Sequence, residues 1–221
     1  ANAAAIRRAM EEAGIDFVGG GAVRKGGLAA AMTLDEYERV GRARFDALAS
    51  TVAGILDAAI TQHPDLHCLP AHHRAKHPGS LRAKLAKMEV SEDADLPSQI
   101  KDLAGVRVVF YSNDDVQRFL QSGIVRENFD VDWARTKLHY PGADPAVGNE
   151  NQFIGNNYVV RLKDSRAALP EYAGLKGLWC EIQVQTILNH AWAAMAHDTI
   201  YKRPDLKGIG EARAFEQKLI F

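Results

Sequence analysis

The sequence has few cysteines, no long apolar run and no signal peptide, and each absence excludes a class of protein. Its two cysteines, Cys68 and Cys180, lie far apart and neither belongs to a CxxC pair. A disulfide framework or a zinc ribbon is therefore not expected, and a reducing cytoplasm fits best. No apolar run approaches the roughly 20 residues that span a bilayer, and the first residues lack the regions of a signal peptide. We expect no membrane association.

A strong charge of one sign is also missing. The 221 residues include 27 Lys and Arg against 28 Asp and Glu, which gives a net charge of −1. Such a chain has no overall field that attracts nucleic acid or membrane, so any anion site must come from local clustering. Hydrophobic residues make up 47% and charged residues 25%, which is typical of a soluble globular protein.

Residues 1–27 are predicted to be the tail of an upstream module followed by a linker. Residues 2–13 have the pattern of a short helix, and residues 15–18 and 22–24 that of two brief strands joined by a Gly-Gly-Gly turn. A helix and a hairpin of this size cannot bury a core alone. Residues 33–221 would form the main domain. Because the chain begins without Met and ends at Phe221 within a helical pattern, we expect a fragment, with this domain truncated at its C-terminus.

The rest of the chain alternates helical and strand patterns. Thr33 and Glu36 form a capping box that opens a long helix to about Gln62. Further elements are predicted as helices over 79–88, from an Asp114–Asp115 cap to about Ser122, and over 186–202, and as strands over 105–111, 125–131, 157–162 and 178–184. This order predicts an α/β (α+β) fold with a mixed β-sheet flanked by helices.

A cationic segment precedes and enters the second helix of this domain. Residues 72–87 contain five Lys or Arg and three His, with no acid. Arg74 and Lys76 would share one face of an extended backbone, while Ser80 and Lys84 lie one turn apart at the start of the helix. A helix N-terminus favours anions, so the segment could bind a polyphosphate. A solvated basic loop is the alternative.

Two carboxylates have positions that suggest chemistry. Asp102 comes just before the apolar strand 105–111, where a hard cation such as Mg²⁺ could find oxygen ligands. Glu181 lies within an otherwise apolar strand, on the same face as Trp179 and Gln183. An unpaired carboxylate is expensive to bury, so Glu181 must face water, a metal or a partner. A capping role for Asp102 and a solvent-facing position for Glu181 are the alternatives.

The histidines fit no zinc or phosphohydrolase pattern. His190 and His197 share a face of the last helix, which lacks HExxH. His73 and His77 could form a zinc pair, but a surface loop is the simpler interpretation. The dipeptide of His197 and Asp198 lacks the supporting His or Asp of a metal-dependent phosphohydrolase.

Taken together and in order, these segments resemble the RelA/SpoT synthetase family over roughly residues 35–205. The resemblance is carried by the pattern RxKxxxSxxxK beginning at Arg74, by KDLAGVR ending at Arg107, and by EIQV beginning at Glu181, followed by HAWA from His190 and a final Tyr201-Lys202. Each motif is weak alone, whereas the ordered set is specific.

The resemblance implies a nucleotidyltransferase-like fold and transfer of the β,γ-pyrophosphate of ATP to a ribose 3′-hydroxyl of GTP or GDP, which makes (p)ppGpp. By position, Arg74 and Arg107 would sandwich the adenine, and three residues would hold the ATP phosphates: Lys76, Ser80 and Lys84. Asp102 would bind Mg²⁺. Glu181 would act beside the metal and the 3′-hydroxyl, as ligand or general base.

On the acceptor side the sequence departs from the family. His190 matches a residue that contacts the acceptor base, and Phe153 keeps a ring that could stack on it. The family's Tyr-Arg-Ser-x-His run, however, is replaced by residues 153–157, and Gln185 stands where an Arg is usual. GTP or GDP as acceptor is therefore less securely implied than ATP as donor.

Two alternatives remain open at this point. One is a toxin-type relative that pyrophosphorylates the 3′ end of tRNA, and the other is a degenerate, non-catalytic nucleotide sensor attached to a transcription regulator. The intact Asp102 and Glu181 argue against the sensor. Residues 1–25 weakly resemble the segment that follows the helix-turn-helix of phage-repressor-like regulators, which would imply an upstream module that binds DNA.

Overall fold

The computed structural model describes residues 32–138 and 156–195, together with the backbone of two short N-terminal strands. These strands, β1 (Ile15–Val18) and β2 (Ala22–Lys25), pair antiparallel and confirm the predicted hairpin. The predicted helix 2–13, Phe153, and the predicted helix 186–202 beyond its residue 195 lie outside the described residues. None of the helices in the described part is both long and apolar enough to cross a membrane.

A mixed five-stranded sheet forms the centre of the main domain. Its strands are β3 (His72–Ala75), β4 (Ala104–Phe110), β5 (Phe129–Val131), β6 (Asn156–Leu162) and β7 (Cys180–Thr186). They lie in the order β3-β4-β7-β6-β5, and only the central β4–β7 pair is parallel. The predicted fold class, a mixed sheet flanked by helices, is confirmed.

The long helix α1 packs on one face of this sheet. It consists of an α-helical turn (Leu34–Glu36), a π-helical turn (Tyr37–Gly41) and an α-helical stretch (Arg42–Ile60). The Thr33 hydroxyl accepts a hydrogen bond from the backbone N–H of Glu36, at 3.3 Å, which confirms Thr33 as N-cap. The buried residues of α1 repeat every three to four positions and face β3 and β4.

The remaining helices surround the sheet. They are α2 (Pro78–Lys87), α3 (Leu96–Gln99), α4 (Asn113–Gln121), α5 (Ile124–Asn128), α6 (Asp164–Ala167) and α7 (Ile187–Met195), and a 3₁₀ segment covers Pro170–Leu175. The predicted helix over 79–88 and the start of the predicted helix over 186–202 are confirmed within one residue.

Two sequence predictions are wrong in detail. The strand expected over 125–131 is a helical turn, α5, followed by the short β5. Its apolar residues are buried as a helix because Gly123, with φ at 82°, turns the chain before them. Helix α4 is capped by Ser112, whose hydroxyl accepts from the Asp115 N–H at 3.1 Å, and not by the acids that follow.

The sheet has one apolar and one polar face. Alternate residues of β4 and β7, such as Val108 and Ile182, are buried against the helices. The residues between them include Arg107 and Glu181 and lie on the opposite face. Strand β7 begins at Cys180, two residues later than predicted, but the predicted alternation puts Glu181 on the correct side. The polar face therefore holds every β4 and β7 side chain for which we predicted chemistry.

Candidate active site

The first carboxylate, Asp102, lies two residues before β4, between two lysines. Its Oδ2 is 2.7 Å from Lys76 Nζ, and its Oδ1 is 2.8 Å from Lys84 Nζ. Burial alone would raise the pKa of Asp102, but hydrogen bonds and charge from the two ammonium groups outweigh it and hold the pKa below its ordinary value. Asp102 is therefore a full negative charge at neutral pH.

Tyr37 in α1 fixes the backbone at this point. The buried hydroxyl donates to the Lys76 carbonyl at 2.7 Å and lies 3.5 Å from the Leu103 carbonyl. Burial raises the pKa of Tyr37 to about 12, so the hydroxyl keeps its proton and remains a donor. The Lys76 N–H in turn donates to the Leu103 carbonyl at 2.9 Å. These bonds connect the end of β3 to the start of β4 and hold Lys76 beside Asp102.

The second carboxylate, Glu181, lies on the neighbouring strand β7, where it faces Gly105 of β4. The side chain is only 6% exposed, and it has two partners: Lys101 Nζ at 3.0 Å and Gln183 Nε2, which donates at 2.9 Å. The glycine opposite has no side chain, so it lines the cleft with backbone alone. The sequence argument required water, a metal or a partner at this carboxylate; Glu181 is buried rather than solvent-facing, and Lys101 and Gln183 are its partners.

Arg107 continues the same polar network along β4. Its Nη2 and Nε donate to Gln183 Oε1 at 3.2 and 3.4 Å, and its Nη1 lies 3.3 Å from His190 Nδ1. Burial, and then the positive charges of Arg107 and His72, lower the pKa of His190 below its ordinary value. His190 is thus neutral at pH 7, and its Nδ1 can accept the hydrogen bond. The pKa of Arg107 is lowered as well, mainly by burial and secondly by repulsion from the positive charge of Arg74.

These side chains surround one open cleft over strands β3, β4 and β7. Five of the residues predicted to bind ATP or metal line it, together with four further residues. The lining residues are His72, Arg74, Lys76, Asp102, Gly105, Val106, Arg107, Glu181 and Gln183. Arg74 and Lys76 meet in one cleft, as their spacing predicts. The cleft combines cations with two carboxylates, which suits a metal-bound polyphosphate.

The other predicted site residues lie around this cleft. Ser80 is exposed on the first turn of α2, one turn before Lys84. Gln185 is buried two residues beyond Gln183 on the same strand face. His77, which was weighed as a zinc ligand, caps α2: its Nδ1 accepts from the Gly79 N–H at 3.1 Å. The roles assigned to Ser80 and Gln185 stay predictions.

Three residues were missed by the sequence argument. Gln183 bridges Arg107 and Glu181, Lys101 pairs with Glu181, and His72 faces Arg107 across the β3–β4 pair. Period-two spacing already placed His72 beside Arg74 and Gln183 beside Glu181, so alternation carried the signal for these two. Nothing in the spacing of Lys101 predicts its partner, because that contact depends on how β4 and β7 align.

With this arrangement, the fold is that of the small alarmone synthetases. The structure of small alarmone synthetase 1 from Bacillus subtilis superposes with a TM-score of 0.64 at 20% identity, over 84% of this chain and 89% of that one. A GTP pyrophosphokinase family protein from Streptococcus pneumoniae gives a TM-score of 0.64 at 18% identity, over 86% and 87%. The Bacillus enzyme bound to AMPCPP gives 0.61 at 18% identity, over 84% and 88%.

The sequence comparison assigns the family. The model described as the region found in RelA / SpoT proteins matches residues 73–205, more than half of the chain. The chain belongs to the RelA/SpoT family and is a transferase of the pyrophosphokinase type, as its ordered motifs predicted. No curated protein matches the sequence.

Proposed function

We propose that this protein transfers the β,γ-pyrophosphate of ATP to the ribose 3′-hydroxyl of GTP or GDP. The observation that carries the proposal is the cleft in which Asp102 and Glu181 lie among Arg74, Lys76 and Arg107. Two similar solved structures support the choice of nucleotides. One is titled as bound to AMPCPP and the other, at 18% identity and a TM-score of 0.62, as bound to its product pppGpp.

The donor nucleotide would lie over β3 and β4. Arg74 and Arg107 are available to stack on the adenine, and a planar guanidinium suits such a contact. Lys76 and Lys84 would bind the phosphates, together with Ser80 from the first turn of α2. This assignment extends the polyphosphate site inferred from the 72–87 segment.

The donor set fits Mg²⁺. Among the described residues, no group of three or more His, Cys, Asp and Glu could hold a metal ion. Asp102 and Glu181 would supply only two carboxylates, and phosphate and water oxygens would complete the coordination, as Mg²⁺ prefers. When bound, Mg²⁺ would neutralise charge that develops on the transferred phosphates.

The reaction needs a proton acceptor and an anion site. The 3′-oxygen attacks the β-phosphorus, the bond from that phosphorus to the AMP oxygen breaks, and AMP leaves. Glu181 would take the hydroxyl proton or hold the metal. Lys76 and Lys84 would stabilise the charge that moves onto AMP and the pyrophosphoryl group. For the acceptor base, Phe153, His190 and Gln185 remain the proposed contacts.

Incubation with γ-labelled ATP, Mg²⁺ and one acceptor at a time tests the proposal. With GTP or GDP, we expect labelled guanosine penta- or tetraphosphate and one AMP per product. A label found only on tRNA would identify the toxin-type alternative. Binding of ATP without any transfer would favour the nucleotide sensor.

A further inference from the structure

Lys101 immediately precedes Asp102 in the chain, but the two side chains reach different neighbours. Asp102 pairs with two lysines that come from the end of β3 and from α2, whereas Lys101 Nζ lies 3.0 Å from Glu181 Oε1 on β7. The flanking residues Ile100 and Leu103 are buried in the core and fix the backbone of this dipeptide. The fold therefore holds the ammonium group of Lys101 at Glu181.

The pair of Lys101 and Glu181 is largely withdrawn from water. The Glu181 side chain is 6% exposed and the Lys101 side chain 30%. The second carboxylate oxygen of Glu181, Oε2, accepts from Gln183 Nε2 at 2.9 Å. Because Gln183 is neutral, Lys101 supplies the positive charge that a buried carboxylate requires. Another cation can take the place of Lys101 without leaving this carboxylate uncompensated.

The two members of the pair differ in their access to the cleft. Glu181 lines the cleft, whereas Lys101 does not. A ligand in the cleft therefore meets the carboxylate and not the ammonium group that neutralises it. A phosphate is not offered Lys101, but a divalent cation at Glu181 competes with Lys101 for the same carboxylate.

We infer that Lys101 is a positioning residue that competes with the divalent metal for Glu181. The inference rests on the proposed function for the presence of a metal in the cleft. In the metal-free protein the ammonium group occupies Oε1, and two cations at one carboxylate repel each other. A metal ion alone therefore gains little from Glu181. It is bound strongly only when the phosphates of ATP supply further oxygen ligands.

Binding of Mn²⁺ in the absence of nucleotide tests this competition. Free Mn²⁺ is measured by electron paramagnetic resonance in titrations of wild type and Lys101→Gln, a variant that removes the charge but keeps a hydrogen-bond donor. We expect the variant to bind Mn²⁺ at least about fivefold more tightly, because the competing ammonium group is gone. Lys101→Met removes the donor as well and should tighten Mn²⁺ binding at least as much.

A double variant separates competition at Glu181 from a general effect of charge. Lys101→Gln/Glu181→Gln should bind Mn²⁺ no more tightly than Glu181→Gln alone, because no carboxylate remains to be released. Lys101→Arg keeps the charge and should retain the weak wild-type affinity. Lys87→Gln removes the charge of a lysine that is exposed on α2, and it should leave Mn²⁺ binding unchanged. Thermal melting reports the fold of each variant.

Equal Mn²⁺ affinity of wild type and Lys101→Gln would overturn the inference, and so would a tightening that persists in the Glu181→Gln background. Weaker ATP binding in EDTA with unchanged Mn²⁺ affinity would show that the charge of Lys101 acts on phosphate instead. Since these are binding measurements, they decide the role of Lys101 even where no acceptor is pyrophosphorylated and the proposed function fails.

Discussion

Two groups of cationic side chains on the polar face of the sheet are built in different ways. On the donor side, Arg74, Lys76 and Lys84 come from one stretch of eleven residues, and Asp102 and Arg107 from one stretch of six. In the group outside the cleft, Arg135, Arg161 and Trp179 come together from three distant segments. A site that forms within short segments leaves a motif in the sequence, whereas a site that forms by strand alignment does not. We therefore expect variants of the first group to weaken ATP binding, and variants of the second group to leave it unchanged.

The largest expected effect is a loss of kcat on substitution of the two carboxylates of the cleft. Asp102→Asn and Glu181→Gln should each lower kcat by about 10²–10⁴-fold, because both residues act through a negative charge. Amide side chains keep the shape, so the melting temperature should change little. Glu92→Gln, an exposed acid paired with Arg82, is the matched control. Activity within tenfold of wild type in either variant would show that the assignment of that residue is wrong.

Sequence patterns predicted most of the sheet, and most residues predicted to bind ATP and metal lie in one cleft, although their roles stay predictions. The β-branched run at 105–111 and the alternation at 178–184 placed β4 and β7 within two residues, and the capping box placed α1. The patterns failed at 125–131, where a short apolar run is equally compatible with a helical turn. They also failed to pair Lys101 with Glu181, since that contact is set by the parallel register of two strands far apart in sequence.

The next effect isolates the donor side. Arg74→Ala or Arg107→Ala should weaken ATP binding by about 1–2 kcal/mol through loss of stacking and cation–π contact. The acceptor KM should change less, and it should change least for Arg74→Ala, since Arg107 also contacts His190. Equilibrium binding of ATP measures the effect, with Arg82→Ala as control. Unchanged ATP affinity in both variants would place the adenine elsewhere.

A smaller effect, an increase in ATP affinity in the absence of metal, is expected for a substitution of Asp102. In EDTA, Asp102→Asn should tighten ATP binding about fivefold, or about 1 kcal/mol, because Lys76 and Lys84 lose a carboxylate that competes with phosphate for them. Glu181→Gln also removes one negative charge, but Glu181 pairs with Lys101 and not with Lys76 or Lys84. Its effect on ATP affinity should therefore be weaker. Isothermal titration compares the two. Equal tightening would show that only overall charge matters.

The smallest expected effect is a pH dependence of ATP affinity. It arises at His190 in α7, which contacts Arg107. Burial and the charges of Arg107 and His72 lower the pKa of His190, so the neutral ring is favoured in the folded protein. The folded protein keeps His190 neutral at every pH above the ordinary histidine pKa of about 6.5. The neutral ring is lost as the pH falls through the lowered pKa of His190.

Protonation would replace the Arg107–His190 hydrogen bond by repulsion between two cations, and ATP affinity should then fall as the pH drops through the lowered pKa of His190. Titration of ATP binding from pH 5.5 to 8 measures this change. His190→Asn keeps an acceptor atom without the titration, so it should flatten the curve while the affinity at pH 8 stays near wild type. If the variant keeps the wild-type slope, another group titrates, and His190 does not couple pH to the donor half of the cleft.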